Sequence, residues 1–279
     1  MTLQLTGQSE RLPELHREFN GQPRVQMPLL VSGTDEKGNV VDVPRDPASF
    51  AYVLERRTDA PEDVRGEWQD NYIFTGDGST AGTKGDHLIV LDAQALREMT
   101  PESELYNGSL VLPAGAWQEL KDQKDKVVYL TAGEVEEAHG KGYVKNKGVW
   151  TPANKSVAKA WDALGRGRDI SSYVQLVSEG SPHSNSWLNV YFNRTTKGDA
   201  PTMRPWVVDS ICGSSDALGY SYLSDYYGRL VGLAPEAHEI TSPTIVQPSL
   251  DDVLAVCRDY VAPCNMDDLR TALAARYQK

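Results

Sequence analysis

Apolar residues along the chain follow two rhythms, one of about 3.6 residues and one of 2, and their succession outlines the elements. SERLPELHREFN (9–20) puts Leu12, Leu15 and Phe19 on one face and predicts a short helix opening at Ser9. RVQMPLLVSGTDEKGNVVDVP (24–44) reads as a hairpin, with an apolar strand, a TDEKGN turn and an alternating second strand. DPASFAYVLERR (46–57) predicts a helix with Asp46 as N-cap and Pro47 in the first turn. PEDVRGEWQD (61–70) is a second short helix, and NYIFTGDGSTAGTKGDHLIVLDA (71–93) is two strands flanking a glycine-rich loop. SLVLPAGAWQELKDQKD (109–125) mixes a strand with a short helix, and KVVYL (126–130) is a strand.

Thr131 followed by Glu134 is a capping box for the helix of TAGEVEEAHGKG. TPANKSVAKAWDALGRG (151–167) predicts a helix capped by Thr151, with Pro152 at its first position and Gly165 as its stop; DISSYVQLVSEG (169–180) continues helically. From Ser184 the rhythm changes: SWLNVYFNRT, RPWVVDSI and RLVGL are aromatic and β-branched strands. Two amphipathic helices, SLDDVLAVCRDYV and MDDLRTALAARYQK, follow Pro235. This order predicts an α+β domain over residues 1–236 and a helical C-terminal extension over 237–279.

The 279 residues suffice for a substantial core, and 40% hydrophobic content is that of a globular chain. A net charge of −11 sets the chain against a nucleic-acid partner, because phosphate binding needs the opposite sign. No apolar run reaches the roughly 18 residues of a membrane span, so no membrane insertion is expected. The N-terminus lacks a basic start and apolar core, so a cytoplasmic or virus-associated location is the expectation. Cys212, Cys257 and Cys264 are odd in number and lack CxxC spacing, which speaks against a zinc site or a disulfide scaffold.

Candidate catalytic patterns are thin. TGDGSTAGTKGD lacks the order of a phosphate-binding loop, and a strand follows it instead of a helix. GSSDA, after the strand WVVDSI, approaches a nucleophile elbow, but Ala217 stands at the last glycine position and a helix-poor Ser/Tyr run follows. The five histidines are scattered, with none paired at ligand spacing. The acidic pairs Glu136/Glu137 and Asp251/Asp252 read as solvated helix faces, and DEKGN as a hairpin turn with too few oxygens for calcium. No metal or cofactor is expected.

The unusual stretch is VVDSICGSSDALGYSYLSDYYGRLVG (207–232). Between Asp209 and Tyr227 it holds four tyrosines and five serines, and no Lys, Glu, Gln, Met or Trp occurs from Val207 to Pro235. Tyrosine offers broad amphipathic contact with few torsions to freeze, while Ser, Gly and Asp supply adaptable hydrogen bonds, which is the composition of binding loops. So many hydroxyls are poorly suited to burial. The stretch is bracketed by RPWVV and RLVGL, a loop held by a rigid scaffold.

The Ser/Tyr/Asp-rich run that begins after Arg204 and Trp206 and ends in YGRLVG resembles the variable proteins of diversity-generating retroelements, the archaeal ones in particular. The resemblance is strongest over residues 185–235. It implies a C-type lectin-like domain, with the formylglycine-generating-enzyme-like subtype as one form. It also implies a non-enzymatic ligand-binding role. In such systems a template repeat is copied with errors at adenines. Asn codons altered at their two adenines can yield Ser, Tyr, Asp, Gly, Ala, Cys, Leu, Ile and others, but never Lys, Glu, Gln, Met or Trp, the types missing here. The resemblance implies variable, ligand-facing residues at Asp209, Ser210, Cys212, Ser214, Ser215, Asp216, Leu218, Tyr220, Tyr222, Ser224, Asp225 and Tyr226. Arg204, Pro205, Trp206, Gly228, Arg229 and Gly232 fall to the scaffold. The calcium triplets of sugar-binding lectins (EPN or QPD, then WND) are absent. The implied partner is an unidentified protein or cell-surface ligand. Two rivals stay open: a serine hydrolase using Ser214 or Ser215, and a contact protein within a virus particle or oligomer.

Overall fold

The computed structural model describes residues 2–3, 16–35, 37–40, 42–100, 102–180, 186–211, 214–225 and 228–234. The expected C-terminal helices, Cys212, Tyr226 and residues 9–15 of the first expected helix lie outside them. The first half of the chain runs β1 (Thr2–Leu3), β2 (His16–Asn20), α1 (Pro23–Ser32), β3 (Asp46–Pro47), α2 (Phe50–Asp59), α3 (Glu62–Gln69), β4 (Ile73–Ala81), β5 (His87–Val90) and α4 (Gln94–Arg97). There follow β6 (Leu105–Tyr106), β7 (Ser109–Val111), α5 (Ala116–Lys121), β8 (Val127–Leu130), α6 (Ala132–Ala138), β9 (Lys141–Asn146) and β10 (Val149–Pro152). The rest is α7 (Lys155–Leu164), α8 (Ser171–Gly180), β11 (Ser186–Tyr191), β12 (Thr202–Val208), β13 (Ala217–Leu218) and β14 (Arg229–Leu233). The class is α+β, as expected.

The main path of the sheet is β1-β2-β14-β4-β12-β13-β11-β9-β10, with β5 and β8 joined through β4 and β6 and β7 joined through β12. Alternate residues of the central strands enter two different apolar clusters. Ile73, Ile89, Trp206, Val208, Val231 and Leu233 join one; Phe74, Leu88, Val90, Met203, Val207 and Leu230 join the other. The first cluster is closed by Phe50, Trp68, Trp161 and Tyr173 of the helices α2, α3, α7 and α8. The second is closed by Met27, Leu30 and Leu96 of α1 and α4. A strand covered on both faces has no solvent side, which is why every residue of β4 and β12 is buried. Pro205 sits mid-strand in β12, and the register with β4 shifts between Pro205 and Val207, a bulge that accommodates a residue with no N–H to donate.

Several sequence expectations are corrected. Residues 16–20 are a strand, not a helix, because β14 pairs with them from Arg229↔Asn20 to Leu233↔His16. The expected hairpin over 24–44 is replaced at its start by α1, with Pro23 in the first turn and Met27 and Leu30 buried one turn apart against the core. Helix α2 opens at Ser49, whose side chain accepts from the Tyr52 N–H, while Asp46–Pro47 pairs with β14. The Phe50 N–H also donates to the buried Asp77 carboxylate at 2.7 Å, so α2 is capped from β4 as well. Gly76 and Gly78 belong to β4, leaving only 82–86 as loop. Helix α7 is capped by Asn154, since 149–152 form β10. The Thr131–Glu134 capping box is present as expected.

The His87 ring is fully buried between Phe192 and Trp206, with Nε2 3.1 Å from Ser79 Oγ. Burial holds its pKa down at about 3, so it stays neutral in the fold. The unfolded chain takes up this proton near pH 6.5. Its contribution to stability is therefore complete above pH 6.5 and is lost as the pH falls toward 3. Urea titrations are expected to show stability falling below pH 6.5, with this one group adding a slope of up to about 1.4 kcal/mol per pH unit. The fall is expected to be shallower in His87→Gln.

Candidate functional site: the surface of residues 209–225

The segment between β12 and β14 is hung on the framework through its own backbone. The Asp209 carbonyl accepts from Arg57 Nη1 at 2.5 Å, and the Ile211 N–H donates to the Gln69 carbonyl at 2.8 Å. The Ser214 carbonyl accepts from the Leu188 N–H at 3.0 Å, and the Gly219 N–H donates to the Tyr191 carbonyl at 2.6 Å. Arg204 Nη1 donates to the Tyr220 carbonyl. Leu223 is held at both ends: its N–H donates to the Gly108 carbonyl at 2.9 Å and its carbonyl accepts from the Arg24 N–H at 3.1 Å. The Ser224 carbonyl accepts from Gln22 Nε2 at 2.9 Å. None of these bonds uses a side chain of the segment.

Two buried arginines supply two of these eight bonds and tie them to other elements. Arg57, fully buried on α2, also donates to the carbonyls of Trp68 (2.8 Å), Asn71 (2.7 Å) and Val208 (3.2 Å), to Tyr173 Oη (2.9 Å) and to Ser215 Oγ (3.0 Å). Arg204 of β12 donates from Nε to Ser109 Oγ at 2.5 Å and from Nη2 to the Asn107 carbonyl at 2.6 Å and Thr195 Oγ1 at 3.2 Å. Its guanidinium lies 4.6 Å from the centre of the Tyr222 ring. Burial pulls the Arg204 pKa down from its ordinary value. A planar fork suits both positions, since each arginine serves several acceptors at once.

What reaches solvent follows a period of two. Tyr220 and Tyr222 are exposed, at 44% and 48%, whereas Gly219, Ser221 and Leu223 are buried. Ser221 Oγ lies 2.6 Å from the Tyr72 hydroxyl, whose pKa is pushed up to about 12, chiefly by burial. Tyr220, Asp209 and Asp225 all act on that phenol electrostatically, so they converge on one patch. Tyr220 also meets Tyr191 edge to face at 5.6 Å, and the Tyr222 N–H donates to Asp225 Oδ2 at 2.9 Å. Asp209, Ser210, Ser214, Ser224 and Asp225 are half-buried. Burial raises the Asp209 carboxyl above the usual carboxylate range.

Ser215, Asp216 and Leu218 do not face outward, contrary to expectation. Ser215 is fully buried at φ 51°, with its hydroxyl on Arg57 and Tyr173. The Asp216 carboxylate accepts from the Asn189 N–H (2.8 Å) and Nδ2 (3.0 Å), which ties the segment to β11. Leu218 belongs to β13, a two-residue strand between β11 and β12 with both faces covered. Cys212 and Tyr226 lie outside the described residues. The expected scaffold residues Arg204, Pro205, Trp206, Gly228 and Gly232 are buried, and Arg229 is half-buried in β14. A Cβ at Gly228 would lie 1.8 Å from Phe74 Cε2, so any side chain there displaces a core ring.

Four contributors went unseen in the sequence: Tyr72, Tyr106, the Asn107–Gly108 pair and Tyr191. Asn107 and Gly108 have φ of 47° and 72° and join β6 to β7 by a two-residue turn of the I′ kind. That turn supplies the carbonyls that meet Leu223 and Arg204, and it places exposed Tyr106 next to them. The YNGS sequence is itself a strong hairpin signal and was the available clue.

Among the described residues, no group of three or more His, Cys, Asp or Glu is placed to hold a metal ion, and no helix is long and apolar enough to cross a membrane. No protein-family model matches the chain, and no curated protein matches it. A solved structure does match. It is described as the accommodation of massive sequence variation in Nanoarchaeota by the C-type lectin fold. The chain is 15% identical to it, with a TM-score of 0.48 over 67% of this chain and 87% of that one.

Proposed function

We propose that this chain is a ligand-binding protein that displays a diversifiable surface on a rigid C-type lectin-like scaffold, and that a retroelement varies that surface. The observation carrying the proposal is the backbone anchoring of residues 209–225. Eight hydrogen bonds hold the segment by its carbonyls and N–H groups, so a changed side chain at an exposed position leaves the path of the chain intact. Tyr220 and Tyr222 then act as the contact residues, their rings packing on a partner while Ser210, Ser224, Asp209 and Asp225 supply hydrogen bonds at the edge. Tyr106 and Tyr191, which belong to the framework, extend the same aromatic surface. The role is binding without catalysis, toward a protein or cell-surface ligand.

The serine-hydrolase reading is disfavoured at Ser215 by that residue's surroundings. Its hydroxyl is buried and bonded to a cationic guanidinium and a tyrosine, and a nucleophilic serine needs an adjacent base. Of the histidines whose side chains are described, His87 reaches Ser79, and His139 Nδ1 accepts from the Phe192 N–H.

Two experiments test the proposal. Sequencing of the flanking DNA is expected to reveal a near-copy of the codons for roughly residues 205–230 beside a reverse transcriptase gene, differing only at adenines. A flank without such a repeat removes the diversification claim. Separately, the double change Tyr220→Ala and Tyr222→Ala is expected to abolish ligand capture while shifting stability by no more than about 1 kcal/mol, since both rings are about half exposed. A loss of several kcal/mol would assign these tyrosines to the core.

A further inference from the structure

The hairpin β9–β10 and the helices α7 and α8 enclose a cleft of about 880 Å³ that the proposed function does not use. Its size is within the usual range for small-ligand sites. Asn146 and Val149 close the hairpin across the turn Lys147–Gly148. On the hairpin, Tyr143 and Trp150 line the cleft, both half-buried, and Trp150 is backed by the buried Trp187 ring at 3.9 Å between centroids. On the helical side stand two cations, Lys159 and Arg168, and two carboxylates, Asp162 and Asp169.

The cations are already neutralised by carboxylates outside the lining. Lys159 Nζ is 2.7 Å from Glu134 Oε1, and Arg168 pairs with Glu55. Among the described residues the carboxylates of the lining have no such cationic partner: Asp162 is exposed on α7, and Asp169 Oδ1 accepts from the Ser171 N–H (2.9 Å) and Oγ (2.6 Å) at the start of α8. The cleft with its paired groups thus has two negative charges in excess beside two aromatic rings, one of the charges offset by the Lys145 ammonium next to Trp150. Both carboxylates act on the Tyr143 hydroxyl, whose pKa is raised by burial first and then by Asp169 and Asp162, so the charges and the ring share one space. The exposed Lys145 side chain already sets an ammonium 5.7 Å from the Trp150 ring centre, near the outer limit for cation–π attraction.

We infer that this cleft binds an organic ammonium group, held against Tyr143 and Trp150 with Asp162 and Asp169 as its counter-charges. Aromatic walls with carboxylates recognise a methylated ammonium better than a neutral group of the same shape, because cation–π attraction and ion pairing act together on the charged form. A quaternary headgroup and a methylated lysine side chain both carry this chemistry.

The experiment is a titration of the full chain with tetramethylammonium chloride, choline and the neutral choline isostere 3,3-dimethylbutan-1-ol, followed by the indole N–H resonances of the tryptophans. An N-methylated lysine peptide distinguishes the second source from the first. Saturable shifts of the Trp150 resonance are expected with the cations, and at least about tenfold weaker binding of the neutral isostere. Asp162→Asn with Asp169→Asn should weaken the cations about tenfold or more and leave the isostere unchanged. Asparagine preserves the acceptor for Ser171, so the fold is retained. Equal response to the neutral isostere, no saturable response to any cation, or undiminished binding in the double variant each overturns the inference. Loss of ligand capture at Tyr220 and Tyr222 leaves it untouched, because the cleft is lined by other residues.

Discussion

Replacing Arg57 by leucine is expected to lower the unfolding free energy by about 4 kcal/mol or more. Six hydrogen bonds of this fully buried guanidinium end on neutral oxygens: the carbonyls of Trp68, Asn71, Val208 and Asp209 and the hydroxyls of Tyr173 and Ser215. Leucine fills part of the volume but removes the donor; the Tyr173 and Ser215 hydroxyls and the Asp209 carbonyl keep bonds among themselves, while each buried carbonyl left without a partner costs about 1–3 kcal/mol. Relaxation recovers some of that, which is why the expectation is below the sum. Set against the 5–15 kcal/mol that typically separates folded from unfolded chains, the change unfolds a large fraction of the margin. Urea denaturation monitored by tryptophan fluorescence measures it. Arg57→Lys is expected to recover less than half, because a single ammonium cannot span acceptors fixed in the plane of a fork. A loss below about 1 kcal/mol would mean that α2 and the start of the segment are held by something else.

The second large effect is at Arg204. Arg204→Ala removes the donor shared by Ser109 Oγ, the Asn107 and Tyr220 carbonyls and Thr195 Oγ1, and takes away the cation beneath the Tyr222 ring. These acceptors lie closer to solvent than those of Arg57, so water replaces part of the loss and the global cost is about 2–3 kcal/mol. The cost is concentrated locally, because the arginine joins the β6–β7 turn to residues 220–222. Amide hydrogen exchange is expected to accelerate about a hundredfold at residues 219–225 while β4 and β5 keep their protection. Ligand capture should fall with it even though Tyr220 and Tyr222 are unchanged. Arg204→Lys is expected to behave nearly as badly, for the same reason of fork geometry. Uniform acceleration across β4, β5 and the segment would show that Arg204 supports the whole fold and not the presenting surface.

Both predictions concern residues whose roles the linear chain conceals. Arg204 falls to the scaffold only through the family resemblance, and it is buried in β12; Arg57 draws no reading of its own, since nothing local distinguishes it from Arg56. A guanidinium becomes an anchor only when a strand end, a loop and a second helix bring carbonyls to it from residues 68 to 209. The Tyr/Ser-rich composition of 209–227 was legible, because the mixture of amphipathic rings and small hydroxyls is chemical information carried by the residues themselves. Which of those residues face outward was not. Ser215, Asp216 and Leu218 turn inward since Arg57, Asn189 and the two strands beside β13 take them up, and every one of those partners is distant in sequence.

The same division runs through the fold. Period, caps and turn residues are local, so the helices near 50–59, 62–69, 132–138, 155–164 and 171–180 and most central strands could be read directly. Helix α1 and strand β2 could not, because short apolar runs suit either conformation until burial selects one. The sequence by itself determined the α+β class, the central strands and the tyrosine-rich stretch that stands out from the rest. Only the tertiary structure decided that this stretch is held by its backbone and that Tyr220 and Tyr222 point to solvent. The physical reason is that hydrogen-bond acceptors and solvent exposure belong to the packed arrangement, while propensity and periodicity belong to the chain.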